Sequence, residues 1–300
     1  MDKQIALVTG GNGFIGSHLI KGLVSDGWFV HAIVRPSSNL KALDSVIDEI
    51  KIHYYDGTTE TLIKIISLAK PRIVFHLAAL IIAEHSSKDV TPILQSNLIF
   101  STQLLEAMSI SGAPSIINSG TFWQHYEDKE YSPTCFYAAT KQAFESILQY
   151  YVEAKPLNAI TLILFDSYGP CEIRPKLFSA LHEASKSKKA LLMSPGDQKI
   201  DLVHIFDIVE AYIVAAKILL ETDISGHRKY TVSSGNLINL KDLISIYEAT
   251  LDIKVPINWG GRPYRDREVM VPWLFGDSLP GWKPKISLVD GIKTLFVKTQ

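Results

Sequence analysis

This chain of 300 residues has few cysteines, little net charge and no long apolar run. Its two cysteines, Cys135 and Cys171, offer no disulfide framework, which indicates a reducing, cytoplasmic environment. A formal net charge of −1 leaves no basic face for nucleic acid or for an anionic membrane. The longest apolar run, at residues 73–83, contains His76 and is too short to span a bilayer. We therefore predict a cytoplasmic protein that binds neither nucleic acid nor membranes.

Internal repeats, low-complexity tracts and linkers are absent as well, and the N-terminus does not resemble a secretory signal. We expect no metal site. Cys135 lies two residues before Tyr137, but no base for a nucleophilic thiol is identifiable, so we interpret Cys135 as a small apolar filler. With 47% hydrophobic residues, the chain has ample material for a buried core.

Apolar runs and helical periodicity alternate through the first half of the chain. The runs predict strands at 4–9, 28–34, 50–54, 72–77, 115–119 and 159–165. The periodic segments predict helices at 14–26, 59–69, 91–111 and 135–154. Such alternation predicts an α/β fold, a Rossmann-type doubly wound parallel sheet that binds its ligand across the carboxyl ends of the strands.

The pattern loosens after residue 166, where prolines separate short helical segments at 176–187, 205–220 and 239–251. We predict a Rossmann domain at residues 1–166, to which a glycine-rich turn at Gly10, Gly13 and Gly16 assigns dinucleotide binding. Residues 167–300 are predicted to form a smaller C-terminal substrate-binding lobe, interleaved with the last elements of the sheet.

A glycine-rich turn follows the first predicted strand directly and opens the first predicted helix. Its glycines are Gly10, Gly13 and Gly16, with Phe14 and Ile15 between the last two. Glycine lets the backbone turn tightly and approach a pyrophosphate, and the free N–H groups of the helix N-terminus hold the anion. A strand, this turn and a helix in sequence indicate a dinucleotide site.

Tyr137 and Lys141 stand four residues apart on a predicted helix, so the ammonium lies beside the phenol. A phenol with its ordinary pKa of about 10 is a poor acid or base at neutral pH. A nearby positive charge favours the phenolate and lowers that pKa. The pair therefore predicts a tyrosine that exchanges protons with a substrate.

The glycine loop together with Tyr137 and Lys141 resembles the short-chain dehydrogenase/reductase superfamily. More narrowly, it resembles the extended branch, of the NAD-dependent epimerase/dehydratase type, whose members act on nucleotide-linked sugars. The resemblance covers residues 4–295 and implies further dinucleotide contacts. It places Asp56 and Gly57 at the adenine, Leu77, Ala78 and Ala79 beside the cofactor, and Asn97 in the helix that follows.

The dinucleotide type depends on the residue about 20 positions after the glycine loop. An acid at that position bonds the ribose 2′-hydroxyl and repels a 2′-phosphate. Arg35 stands there instead, followed by the hydroxyls of Ser37 and Ser38, and all three suit a phosphate. We predict NADPH (NADP) as the cofactor in preference to NAD.

The resemblance also implies a Ser or Thr at the end of the fifth strand that orients the substrate carbonyl. Ser119 matches by strand position, and Thr121 is a further substrate contact, although the sequence leaves open which hydroxyl acts. Sugar dehydratases carry an Asp-Glu pair at the positions that Gly120 and Thr121 occupy here. The chain therefore lacks the acid and base that dehydration requires.

Basic residues in the second half are candidates for the diphosphate of a nucleotide sugar, because guanidinium groups bond phosphate oxygens in pairs. An arginine that the family places beside the nucleotide is replaced by Ile200. Arg262 and Arg265 are predicted to supply that charge, with Arg174 and Lys176 as further substrate contacts.

Together these features predict an NADPH-dependent 4-ketoreductase that acts on a CDP- or dTDP-linked 4-keto-6-deoxyhexose in deoxysugar biosynthesis. The alternatives are a nucleotide-sugar 4-epimerase with tightly bound NAD, or a protein that binds the dinucleotide without catalysis. The resemblance further implies a homodimer formed through the helices at 91–111 and 135–154. Their apolar residues Leu94, Leu98, Leu105, Phe144 and Leu148 serve either the dimer face or the sheet.

Overall fold

A parallel seven-stranded sheet forms the centre of the structure, a computed structural model that describes residues 4–172, 174, 176–222 and 225–296. The elements of the first half are β1 (Ile5–Thr9), α1 (Phe14–Ser25), β2 (Phe29–Val34), β3 (Ile50–Tyr54), α2 (Thr59–Ala69), β4 (Ile73–His76), α3 (Val90–Leu94), α4 (Phe100–Ser111), β5 (Ser115–Thr121), α5 (Phe136–Ala154) and β6 (Asn158–Leu164). A π-helical turn at Gln95–Ile99 joins α3 to α4, and a 3-10 helix at Lys41–Glu49 precedes β3.

The second half contributes one strand to this sheet and builds two small sheets beside it. Its elements are β7 (Asp166–Tyr168), α6 (Leu177–Ser187), β8 (Leu191–Met193), β9 (Lys199–His204), α7 (Ile205–Glu221), β10 (His227–Val232), β11 (Leu237–Asn239), α8 (Leu240–Leu251), β12 (Ile257–Trp259) and α9 (Leu288–Thr294). β10 pairs in parallel with β6, while β11-β9-β7 and β12-β8 form the small sheets. The division of the chain after residue 166 stays a prediction.

The strand order of the main sheet is β3-β2-β1-β4-β5-β6-β10, so the chain reverses direction across the sheet between β1 and β4. Ligands of doubly wound sheets bind at this switch point, outside the carboxyl ends of the strands. The predicted fold class is confirmed, and each of the six predicted strands lies within two residues of an observed one. The seventh strand, β10, was not predicted because it begins with the polar run His227-Arg228-Lys229.

Two apolar layers hold the helices on the sheet. On one face α1 and α7 bury Leu19, Leu23 and Tyr212 against the strands. On the other face α4 and α5 bury residues that include Leu105, Phe144 and Leu148, each with no exposed surface. These three side chains therefore serve the sheet, where each contributes roughly 1.5–3 kcal/mol of hydrophobic stabilisation.

No helix in the described ranges is both long and apolar enough to cross a bilayer. Within the same part of the chain, no three His, Cys, Asp or Glu side chains gather as metal ligands would.

Two buried histidines connect β3, the strand at one edge of the sheet, with its neighbour β2. His31 in β2 and His53 in β3 share a hydrogen bond of 2.8 Å between Nδ1 of His31 and Nε2 of His53, with their rings stacked. Burial, with the neighbouring His53 and Lys51, lowers the pKa of His31 to about 4. Burial also lowers the pKa of His53. The pair is therefore neutral at pH 7, with one ring donating to the other.

Acid should weaken the fold through this pair. A histidine with a lowered pKa in the folded state binds a proton more readily when unfolded, so its contribution to stability is complete above about pH 6.5 and falls as the pH approaches 4. We expect the free energy of unfolding, from urea denaturation, to fall by roughly 1–3 kcal/mol through His31 between these limits.

The variant His53→Gln should reduce that slope without abolishing it, because burial also lowers the pKa of His204 and of His227 to about 4. An unchanged slope in His53→Gln would show that the pair does not titrate as described.

Candidate functional site

A cavity of about 1660 Å³ runs along the carboxyl ends of the strands, between the glycine loop and the second half of the chain. Ligand pockets of drug size occupy roughly 300–1,000 Å³, so this cavity has room for two ligands. The predicted cofactor residues that line it are Gly10, Gly13, Phe14, Ile15, Gly16, Arg35, Ser38, Gly57, Leu77, Ala78, Ala79, Tyr137 and Lys141. The predicted carbonyl and substrate residues that line it are Ser119, Thr121, Arg174, Lys176, Arg262 and Arg265.

The glycine loop is packed too closely for larger residues. Gly10 has a φ of +69°, and a Cβ there would lie 2.7 Å from the backbone nitrogen of Ala78. A Cβ on Gly16 would lie 2.2 Å from the carbonyl oxygen of Gly10. Gly13 caps α1 without a side-chain bond, and the first N–H groups of a helix have no partner within it. The loop therefore presents free backbone donors to the cavity, which fits the pyrophosphate of a dinucleotide.

The backbone that follows β4 forms the wall opposite this loop. Thr9 in β1 accepts hydrogen bonds from the N–H groups of Leu77 and Ala78. Asn97 is buried, accepts a bond from the N–H of Leu80 at 2.8 Å and donates to Thr140 in α5 at 3.0 Å. Asn97 does not line the cavity, so it supports this wall from behind.

The residues predicted to select the dinucleotide divide into two groups. Arg35 and Ser38 reach the cavity, and the backbone N–H of Arg35 donates to the hydroxyl of Ser38 at 3.1 Å. Ser37 is exposed and lies outside the lining. Asp56 also lies outside it, and its carboxylate accepts bonds from Thr58 and Thr61 at the start of α2.

Lys141 brings a buried ammonium to the cavity. Lys141 is 3% exposed, and its Nζ lies 5.8 Å from the centre of the Phe144 ring. Among the described residues Lys141 makes no hydrogen bond or ion pair. Burial lowers its pKa to about 8, and the charge of Glu145 opposes that change. A buried ammonium without a partner fits the hydroxyl oxygens of a dinucleotide ribose, which would satisfy its donors.

Tyr137 lies on the same face of α5 and is 6% exposed. Burial raises its pKa, the charges of Cys135 and Tyr212 raise it further, and Arg174 opposes them. Lys141 is not among the groups that shift this pKa, so the lowering expected from its charge is not observed, and burial has the largest effect. Tyr137 therefore carries its proton at neutral pH.

The two candidate hydroxyls at the end of β5 differ in what they bond. Ser119 donates to the carbonyl oxygen of His76 at 2.9 Å and lies 2.6 Å from the hydroxyl of the buried Tyr212. Thr121 instead accepts a bond from the N–H of Trp123 at 3.3 Å. A hydroxyl has one proton to donate. Ser119 already donates its hydroxyl proton to the carbonyl of His76, whereas the hydroxyl of Thr121 donates to no described residue.

The basic residues of the second half reach the cavity with different partners. Arg174 is held by Glu172 through Nε at 2.7 Å, so an anion would compete with a carboxylate for it. Lys176 donates to Ser167 at 3.4 Å, and burial lowers its pKa. Nε of Arg265 lies 3.6 Å from the carboxylate of Glu84 at the surface. The guanidinium of Arg262 has no partner among the described residues.

Three lining residues were missed by the sequence analysis. Asp166 begins β7, its carboxylate has no hydrogen bond or ion pair in the described part of the chain, and burial raises its pKa. Trp123 packs edge-on against Tyr137 at 6.2 Å between ring centres. Arg267 donates to Ser132 at 2.6 Å. Asp166 has a sequence signal, since it directly precedes Ser167-Tyr168-Gly169 after the sixth strand, whereas Arg267 has none.

Comparisons with known proteins agree with this geometry. Residues 6–224 match the model of the NAD dependent epimerase/dehydratase family. The chain is 27% identical to a CDP-abequose synthase of Salmonella muenchen, with 99% of this chain and 98% of the relative covered. It is 25% identical to a UDP-glucose 4-epimerase of Mycolicibacterium smegmatis, with 95% of each covered.

Solved structures establish the fold. A UDP-glucose 4-epimerase of Thermotoga maritima, determined with UDP-glucose, superposes with a TM-score of 0.85 at 23% identity and covers 97% of each chain. The UDP-glucose 4-epimerase of Thermus thermophilus, determined with NAD, gives a TM-score of 0.82 at 22% identity, again over 97% of each chain.

The unpaired ammonium of Lys141 should make the protein less stable than it would be without that charge. A pKa lowered from 10.5 to about 8 corresponds to about 3 kcal/mol. We expect Lys141→Met to raise the free energy of unfolding by roughly 1–3 kcal/mol at pH 7, measured by urea denaturation.

This gain in the free energy of unfolding should shrink as the pH rises from 8 towards 10.5. The folded wild type loses the lysine charge at a lower pH than the unfolded chain does, so the wild type becomes more stable over that range. Lys64→Met, at an exposed position of α2, is the matched control and should change little. A loss of stability in Lys141→Met at pH 7 would mean that the ammonium has an internal partner.

Proposed function

Because this chain belongs to the NAD dependent epimerase/dehydratase family, we propose that it reduces the 4-keto group of a nucleotide-linked 4-keto-6-deoxyhexose with NADPH, in deoxysugar biosynthesis. The observation that carries the proposal is the buried pair of Tyr137 and Lys141 on one face of α5, at the cavity. The similarity to CDP-abequose synthases, which covers 99% of this chain for one of them, supports a CDP-linked sugar as the substrate, and a dTDP-linked sugar is the alternative.

The residues have separate tasks in this reaction. A nicotinamide dinucleotide, when bound, supplies the hydride that adds to the carbonyl carbon. Tyr137 donates its proton to the carbonyl oxygen, so that the C=O bond becomes a C–H and an O–H bond. Lys141 would hold the ribose of the bound dinucleotide, and its charge would favour the phenolate that Tyr137 leaves behind. The apolar side chains around Tyr137, Trp123 among them, keep water from the reacting atoms.

Thr121 is the hydroxyl that we assign to the substrate carbonyl, in preference to Ser119. Its proton is not used by the described residues, and it lines the cavity. Ser119 supports the end of β5 through its bonds with His76 and Tyr212. A hydroxyl aimed at the carbonyl oxygen stabilises the negative charge that develops there during hydride addition.

A 4-epimerase is the second candidate, because the chain also matches a UDP-glucose 4-epimerase over 95% of its length. An epimerase retains its NAD and reduces the ketone that it has itself produced. Arg35 supports the reductase, since the carboxylate that would bond the ribose 2′-hydroxyl of NAD is replaced by a guanidinium that suits a 2′-phosphate.

We also propose that the enzyme is a cytoplasmic homodimer. The helices α4 and α5, which we expect at the interface, expose large apolar side chains that the sheet does not cover. Ile110 in α4 is 58% exposed and Tyr150 in α5 is 60% exposed. A contact between two copies at these helices would remove both from water.

Oxidation of NADPH against a panel of CDP-, dTDP- and UDP-linked 4-keto-6-deoxysugars tests the proposal. We expect turnover with a CDP- or dTDP-linked member and no bound dinucleotide in the protein as purified. Tightly bound NAD together with interconversion of UDP-glucose and UDP-galactose would establish the epimerase instead.

Variants in the same assay identify the proton donor. Tyr137→Phe should lower kcat by about 10²–10⁴-fold with dinucleotide affinity retained, because only the acid is removed. Thr121→Val should lower kcat by about 10²–10³-fold, and Ser119→Ala by less. A larger loss in Ser119→Ala than in Thr121→Val would reverse our assignment of the two hydroxyls.

Cofactor preference should depend on Arg35. Arg35→Asp removes a charge-assisted bond to the 2′-phosphate and adds repulsion, so NADPH affinity should fall by about 2–4 kcal/mol, or roughly 30- to 1000-fold. NADH should bind as before. Calorimetric titration of both dinucleotides measures the difference.

Arg72→Asp is the matched control, because Arg72 is exposed and precedes β4 at the opposite, amino end of the sheet. Equal losses for NADPH and NADH in Arg35→Asp would show that Arg35 does not contact the phosphate.

A further inference from the structure

A buried glutamine holds the end of β5, where Thr121 lies. The side chain of Gln124 is 1% exposed, and its Oε1 accepts a hydrogen bond from the backbone N–H of Thr121 at 3.1 Å. Its Nε2 donates to Glu145 and to Gln142 in α5, each at 2.9 Å. Through these three bonds the amide joins the end of β5 to the helix that carries Tyr137 and Lys141.

Glu145 is the fixed end of this connection. It lies one helical turn after Lys141, and its side chain is 3% exposed. One carboxylate oxygen accepts from Gln124, and the other lies 3.0 Å from Nζ of Lys229 in β10. A buried carboxylate is costly unless charges and hydrogen bonds compensate it. Both of its oxygens are bonded here, so its position is well defined.

We propose that Glu145 is a positioning residue for the reaction, which holds Thr121 in place through Gln124 and presents its negative charge one turn from Lys141. The inference rests on the proposed function for the roles of Thr121 and Lys141. The carboxylate does not reach the reacting atoms itself. The last strand of the sheet anchors it through Lys229, so strand β10 contributes to the alignment of the site.

Two observations support this role. A Cβ on Gly120 would lie 3.4 Å from Oε1 of Glu145, so the carboxylate packs directly beneath the end of β5. The charge of Glu145 also opposes the lowering of the Lys141 pKa by burial. The groups that face the carboxylate are Lys141 from α5, Lys229 and His227 from β10, and His125 after β5.

A double-mutant cycle on kcat tests the connection, with Gln124→Met, Glu145→Gln and the double variant. Each single change should lower kcat by about 10- to 100-fold with a small change in KM, because Thr121 loses its fixed position. The double variant should be no slower than the slower single variant, since both act through one chain of bonds. Glu248→Gln is the matched control, because Glu248 lies in α8 and pairs at 2.9 Å with Lys254, which follows that helix. It should leave kcat unchanged.

Dinucleotide affinity as a function of pH gives a second measurement that needs no sugar substrate. Affinity should fall as Lys141 loses its proton, and Glu145→Gln should move that fall to lower pH. Additive losses in the cycle, or an unchanged pH midpoint, would overturn the inference. If no sugar is reduced by the wild type, the proposed function fails while the binding measurement still decides the role of Glu145. The binding measurement also decides it alone if Gln124→Met does not fold.

Discussion

The buried ammonium of Lys141 is the constraint on which the rest of the site depends. A charge removed from water needs partners, and the described residues give it only the nearby carboxylate of Glu145. The site is therefore arranged around an unsatisfied group that a dinucleotide ribose would complete. The same burial keeps Tyr137 protonated: it raises the pKa of Tyr137 and lowers the pKa of Lys141, because it disfavours the charged form of each.

The placement of this pair follows from how α5 packs on the sheet. Phe144 and Leu148 lock one stripe of the helix against the strands, and Tyr137 and Lys141 lie on the turns just before them. The end of β5 is then fixed relative to that helix by the amide of Gln124 and the carboxylate of Glu145. The position of Thr121 relative to Tyr137 thus rests on buried polar bonds, which are directional, in addition to apolar packing.

The sequence predicted six strands of the main sheet to within two residues, because each depends on local hydrophobic spacing. The predicted glycine loop, Tyr137 and Lys141 line the cavity, and their roles stay predictions. The sequence did not distinguish Ser119 from Thr121. Both lie on one strand, and they differ in hydrogen bonding because Ser119 contacts His76 and Tyr212. Tyr212 is 93 residues away from Ser119 in the chain. It also did not predict that Arg174 is bonded to Glu172, or that the carboxylate of Asp56 accepts a hydrogen bond from Thr61 at the start of α2.

What the sequence by itself determined is the order of strands and helices, the turn that leaves backbone donors free and the residue types available for proton transfer. These follow from hydrophobic periodicity and from the steric freedom of glycine, which act over a few residues. Only the tertiary structure decided which hydroxyl keeps its proton, which cations are free and how the pKa values of Tyr137 and Lys141 change. Those properties depend on burial and on partners from distant segments, and no local pattern encodes them.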